Sequence, residues 1–143
     1  MSLAIVHTRA RFGTAAPIVT VEVHLSNGLP CLSIVGLPET AVKESKDRVR
    51  SALINSQFEF PARRITINLA PADLPKNGGR FDLAIAIGIL AASGQIPESI
   101  LGDIEFIGEL ALTGELRGVN GVLPAAIACG ESGRSLIAVS YTL

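Results

Sequence analysis

The chain has 143 residues, 48% of them hydrophobic and 17% charged, with a formal net charge of −1. A domain of that length buries about two-thirds of its unfolded surface without metals or disulfides. Its near-zero charge excludes a domain whose whole surface grips nucleic acid, because such domains are markedly basic. No apolar run reaches membrane-spanning length, no charged-then-apolar leader opens the chain, and Cys31 and Cys129 make no disulfide framework, so a soluble cytoplasmic protein with no membrane partner is expected.

Taken in chain order, residues 3–12 alternate in part and read as a strand. Residues 17–26 alternate more strictly, with Val19, Val21, Val23 and Leu25 on one face. Asn27-Gly28 is the strongest turn signal in the chain, so the next strand, Cys31–Val35, is expected to fold back on the second as a hairpin, giving three antiparallel strands. Pro38 suits the first turn of an amphipathic helix running to about residue 55 through Val42, Val49 and Leu53. A strand follows at 64–69, then a loop with Pro71, Pro75 and Gly78-Gly79, then a helix at 82–93 too apolar for the surface and ended by Gly94. Residues 105–112 read as a strand, 113–118 as a turn with a short return strand, 123–129 as a helix ended by Gly130, and 135–141 as the last strand. The sum is an α+β fold, a mixed sheet with helices packed on it.

Chemistry concentrates in the loop at 68–82, which carries Lys76, Arg80 and Asp82 at the start of the buried helix. Helix N-termini present free amides to anions. The plainer reading, with Asp82 as N-cap or first-turn acid, is favoured on chemistry alone. The loop is not a P-loop, since no Gly-Lys-Ser or Gly-Lys-Thr occurs in the chain. His7 and His24 lack the spacing of a zinc site, and no metal is expected. Asp103, Glu105, Glu109 and Glu115 read as surface charges, the basic residues Lys43, Lys46, Arg48 and Arg50 as part of a solvated helix face, and both cysteines as buried and inert.

Several motifs together carry a resemblance. Asn68-Leu-Ala-Pro-Ala-Asp73, Pro75-Lys-Asn-Gly-Gly-Arg-Phe-Asp-Leu83, Gly108-Glu-Leu110, Leu112-Thr-Gly-Glu-Leu-Arg-Gly118, Gly121-Val-Leu-Pro124 and Ile34-Val-Gly-Leu-Pro38 resemble the N-terminal domain of ComM/YifB-type, magnesium-chelatase-related AAA+ ATPases over about residues 4–137. The resemblance implies one domain over 4–143 of the ribosomal protein S5 domain 2-like class, similar to the Lon proteolytic domain. It places the AAA+ module beyond this fragment. ATP and Mg are then expected for the parent's AAA+ module and no cofactor for this fragment. The implied partners are that module, other subunits of a hexameric parent, and DNA.

In Lon-like proteases the corresponding loop bears a nucleophilic serine, and a lysine serves as base. Aligning Pro75-Lys76-Asn77-Gly78-Gly79 with that loop places Arg80 at the serine, while the region matching the lysine, residues 123–126, holds none. A dyad needs both members. The leading expectation is therefore a non-catalytic interaction domain aiding motor assembly or DNA engagement in branch migration or competence, with Arg63, Arg64, Lys76, Arg80 and Arg117 as candidate phosphate contacts. In the competing structural reading Arg80 and Asp82 pair locally and Lys76 is solvated. Two further alternatives remain open: a residual Lon-like hydrolase using Ser93 or Thr113, and a phosphate or nucleotide pocket at Gly78-Gly79.

Overall fold

In the computed structural model, which describes residues 2–139, the strictest alternation in the sequence lies inside a six-stranded sheet. The strands are β1 (Ser2–Arg9), β2 (Ile18–Ser26), β3 (Cys31–Val35), β4 (Arg64–Ala70), β5 (Ile104–Ile107) and, last in sequence, β8 (Ser135–Ala138). Their order is β3-β4-β2-β1-β5-β8. β2 runs antiparallel to β1 and β4, whereas β3–β4, β1–β5 and β5–β8 are parallel. This is the expected mixed sheet of an α+β fold.

The β2–β3 hairpin does not form. Leu29 and Pro30 lengthen the connection after Asn27-Gly28, and β4 enters between the two strands, in register with β2 from Thr20↔Ala70 to Ser26↔Arg64. Burial explains the exchange. β4 contributes Ile65, Ile67 and Leu69 to the core, but β3 buries only Ile34 and exposes Cys31, Ser33 and Val35. The strand with the fuller apolar face takes the inner place, and the poorer one is left at the edge. Cys31 is consequently exposed, contrary to the expectation of a buried thiol.

Helices α1 (Thr40–Lys43), α2 (Ser45–Asn55) and α3 (Asp82–Ala92) follow in sequence. The single helix expected at 38–55 is two pieces joined at Glu44, and Pro38 lies outside both, bridged to Lys76. α3 is buried along nearly its whole length against β1 and β2. Gly88 permits that approach, because a Cβ there would stand 2.5 Å from Val23 Cγ2.

The strand expected at 105–112 breaks at Gly108. The Gly108 amide donates to the Arg80 carbonyl at 3.0 Å, and its own carbonyl accepts from Leu83 at 3.1 Å, so the backbone turns to the head of α3 rather than continuing the ladder. Beyond the break, β6 (Glu109–Leu110) pairs with β7 (Leu116–Arg117) in a separate ribbon. α4 (Val122–Glu131) runs through Gly130, and the chain turns at Gly133, whose φ is 74°. A 3-10 turn at Leu101–Asp103 had no sequence signal. Of the last strand expected at 135–141, residues 140 and 141 lie outside the described residues. No helix among the described residues is long and apolar enough to cross a membrane.

Candidate functional site

The loop between β4 and α3 folds inward. Lys76 is fully buried; its Nζ donates to the Pro71 carbonyl, its amide donates to Leu37 O at 3.2 Å, and its carbonyl accepts from Glu39 N at 2.9 Å. Burial pushes the Lys76 amine below its ordinary pKa, against a smaller upward pull from Asp73. Arg80 is 6% exposed: Nε donates to the Arg9 carbonyl and Nη1 to the Asn120 carbonyl, each at 3.0 Å, while Nη2 has no partner among the described residues. Burial lowers the Arg80 pKa, and the charge of Arg11 pushes the same way. The two loop cations expected to reach phosphate from the surface are therefore inside the protein. The backbone carbonyls of Pro71, Arg9 and Asn120 draw them in, since buried carbonyls need donors.

Gly78 has φ 75°, in the left-handed region, with open space where a side chain would stand. Gly79 lies outside that region and is constrained differently, because a Cβ there would stand 2.3 Å from Glu109 Oε1 and 2.8 Å from Glu109 Cγ. Gly79→Val is expected to destabilise the fold by about 1–3 kcal/mol by displacing Glu109. Urea denaturation checks this, and a midpoint equal to that of the native chain would refute the clash.

Beside these residues lies a pocket of about 230 Å³ whose walls include Arg11, Asn77, Arg80, Glu109 and Asn120 together with the Gly78-Gly79 backbone. Arg11 is exposed at its rim. α4 begins immediately after, at Gly121 in the left-handed conformation, with no side chain capping its first amides.

Asp82 is the first-turn acid of α3, as expected, but not its cap, which is Phe81, and it does not pair with Arg80. Its buried carboxylate accepts from Ser45 Oγ at 2.5 Å, Arg48 Nε at 2.7 Å, Arg48 Nη2 at 3.1 Å and the Leu110 amide at 3.1 Å. It ties α2, α3 and β6 together. The Arg48 pKa is raised, first by the hydrogen bond to Asp82. Arg48 is thus a half-buried partner rather than part of a solvated face.

Glu105, expected as a surface acid, is fully buried. It accepts from Arg9 Nε at 2.6 Å and Nη2 at 3.0 Å, and from Arg134 Nη1 at 3.1 Å. Burial alone would raise its pKa, but the hydrogen bonds from Arg9 and Arg134 outweigh it and hold the carboxyl below the ordinary value. Arg9 also donates to the Ala128 carbonyl and Ser132 Oγ, fixing α4 to the sheet. Burial, with the nearby Glu105 charge, pushes the Cys129 thiol up and keeps it protonated and unreactive.

The remaining sequence candidates lie elsewhere. Arg63 donates to Ser2 Oγ at 3.1 Å and lines a larger cleft of about 480 Å³ with Lys46, Asp47, Arg50, Phe60 and Cys31; the Arg50 guanidinium sits 5.3 Å from the Phe60 ring centroid. Arg64 is exposed at the start of β4, and Arg117 is exposed on β7. The five candidates do not converge, for Arg63 and Arg64 stand at one end of β4 and the loop with Lys76 and Arg80 follows its other end. The sequence reading missed Lys46 and Arg50 as companions of Arg63, although their four-residue spacing on a helix was visible. Ser93 Oγ donates to the Ile89 and Leu90 carbonyls, and Thr113 Oγ1 accepts from the Glu115 amide. No group of three or more His, Cys, Asp or Glu suited to a metal occurs among the described residues. The buried Lys76, spent on a carbonyl, does not fit the phosphate cradle of a Walker-type ATP–Mg site.

The family model for subunit ChlI of Mg-chelatase matches residues 21–142. This chain belongs to the ChlI family. Among curated relatives it is 67% identical over 137 residues to "Competence protein ComM" of Haemophilus influenzae and 64% identical over 137 residues to "Uncharacterized protein YifB" of Escherichia coli, in both cases covering 96% of this chain and 27% of the relative. A Mycobacterium tuberculosis protein without a characterised role is 41% identical over 127 residues, 89% of this chain and 25% of its own length. The ChlI-family chain is of the ComM/YifB type and spans about a quarter of the length of these relatives.

Proposed function

We propose that this ChlI-family chain is a non-catalytic accessory domain of an AAA+ ATPase and that it engages DNA for the motor. The observation that carries this reading is the cleft between α2 and residues 60–63, where Lys46, Arg50 and Arg63 surround Phe60 with only Asp47 opposing them. Single-stranded nucleic acid is held by such a combination, cations for phosphates and flat groups for bases. The guanidinium of Arg50, laid over Phe60, adds a second flat surface. The name of the competence relative agrees with a role in DNA handling. The ribosomal protein S5-like, Lon-like class is part of the same reading: the residue aligned with the Lon nucleophile is Arg80, whose guanidinium is committed to two backbone carbonyls. ATP and Mg belong to the parent's own module, and the parent works as a hexamer. A role in assembling that hexamer is favoured by one feature, the exposed Leu123 and Ile127 four residues apart on α4.

Titration of the full-length parent against single-stranded and forked DNA at two salt concentrations tests the DNA reading. Arg50→Gln with Arg63→Gln is expected to weaken binding and to reduce the salt slope on single strands by roughly 0.7 per lost phosphate contact. Equal affinities and slopes for parent and variant would overturn it.

A further inference from the structure

Arg80 is a buried cation without a counter-ion. Its guanidinium is met by two neutral carbonyls, those of Arg9 and Asn120, and none of the ion pairs among the described residues includes it. One terminal nitrogen, Nη2, is buried with no partner among the described residues. A desolvated charge in this state is costly unless an opposite charge or further hydrogen bonds meet it. The charge of Arg11 makes matters worse, because it repels Arg80 and, after burial, lowers its pKa further.

The unmet donor belongs to a residue in the wall of the 230 Å³ pocket, about the space of a small oxyanion with several waters. Arg11 stands at the exposed rim, its Cδ 3.1 Å from where a Cβ on Gly121 would be, and the uncapped first turn of α4 starts at the same place. Free amides there add positive partial charge. Among the described residues the pocket wall holds a single acid, Glu109. Its carboxylate lies against Gly79 and its field acts on Arg48, whose pKa it helps to raise, and it forms no ion pair with Arg11 or Arg80. Two cations against one acid leave the pocket net positive.

We infer that this pocket binds a single phosphate-type oxyanion, with Arg80 as its floor and Arg11 as its rim. Bound there, the anion supplies the counter-charge that Arg80 lacks and relieves the repulsion between the two arginines. Gly78 and Gly79 keep the loop free of side chains where the anion enters. The site is separate from the Phe60 cleft, at the opposite end of β4, and does not rest on the DNA reading. Free phosphate, a nucleotide monophosphate and the terminal phosphate of a strand all offer the same group.

Calorimetric titration of the 143-residue chain at constant ionic strength tests the site with three probes: inorganic phosphate, adenosine monophosphate, and a short single strand with and without a 5′-phosphate. Saturable binding of phosphate over a chloride background is expected, together with a phosphate-dependent rise in melting temperature. Arg11→Gln, at an exposed position that leaves the fold intact, is expected to weaken phosphate binding about tenfold, the usual size of one lost charge-assisted hydrogen bond, and Lys43→Gln is expected to bind as the native chain does. Equal affinities for phosphate and the monophosphate would mean that the group alone is recognised. Tighter binding of the 5′-phosphorylated strand than of its unphosphorylated copy would identify a strand end as the source. Absence of saturable binding for all three probes would overturn the inference, as would an Arg11→Gln chain that binds phosphate as tightly as the native one.

Discussion

Glu105→Ala is expected to destabilise the protein by about 3–5 kcal/mol, because it leaves Arg9 buried and unpaired, and half-buried Arg134 without its carboxylate. The loss extends past the ion pairs. Arg9 is also the donor that joins α4 to the sheet through Ala128 and Ser132, so its displacement loosens the α4–β8 unit. The same carboxylate gives stability a pH dependence. Its folded pKa lies below the ordinary value of 4.5, so the stabilisation is complete above that value and is lost as the pH falls toward the folded pKa. Urea midpoints measured at pH 7 and across the acid limb check both points. An alanine variant within about 1 kcal/mol of the native chain, or one with an unchanged acid limb, would refute the role assigned to Glu105.

Asp82→Ala is expected to cost a similar amount, about 3–5 kcal/mol, through the other buried cluster. Four hydrogen bonds end on this carboxylate, from Ser45, Arg48 twice and the Leu110 amide, so its removal strands a buried hydroxyl, a buried amide and a half-buried guanidinium at once. Asp82→Asn keeps the shape and an acceptor but loses the charge that Arg48 meets, and should fall between the two. Since Asp82 joins α2, α3 and β6, hydrogen exchange should accelerate at the amides of all three in either variant. Protection lost in α3 alone would mean that the carboxylate serves only its own helix.

These two acids mark where the sequence stopped being readable. Every strand of the sheet was visible from its alternation or its apolar run, and Cys31–Val35 was bounded to the residue. The helix at 82–93 was recognised from ten apolar residues that no surface helix would carry. Glu105, by contrast, read as a surface charge and Asp82 as no more than a helix-start acid, because burial of a charge depends on partners 96 and 34 residues away in sequence, Arg9 and Arg48. Lys76 and Arg80 failed in the same way. A Pro/Gly loop reads as exposed, and only the folded carbonyls of Pro71, Arg9 and Asn120 draw the two cations inward.

Local chemistry by itself determined where the sheet strands and the buried helix lie and the ChlI-family motifs, since periodicity, turn residues and motif spacing are properties of neighbouring residues. The absence of a Walker lysine followed from the chain alone as well. Tertiary structure decided which strand stood beside which. Asn27-Gly28 announces a hairpin, but the order β3-β4-β2 follows from the competition of β3 and β4 for the place next to β2, and the strand that buries Ile65, Ile67 and Leu69 prevails. The break at Gly108 was decided there too, by hydrogen bonds to Arg80 and Leu83 that draw the backbone out of the sheet. Pairings of that kind are settled by what the rest of the chain leaves unburied or unbonded, which no window of the sequence contains.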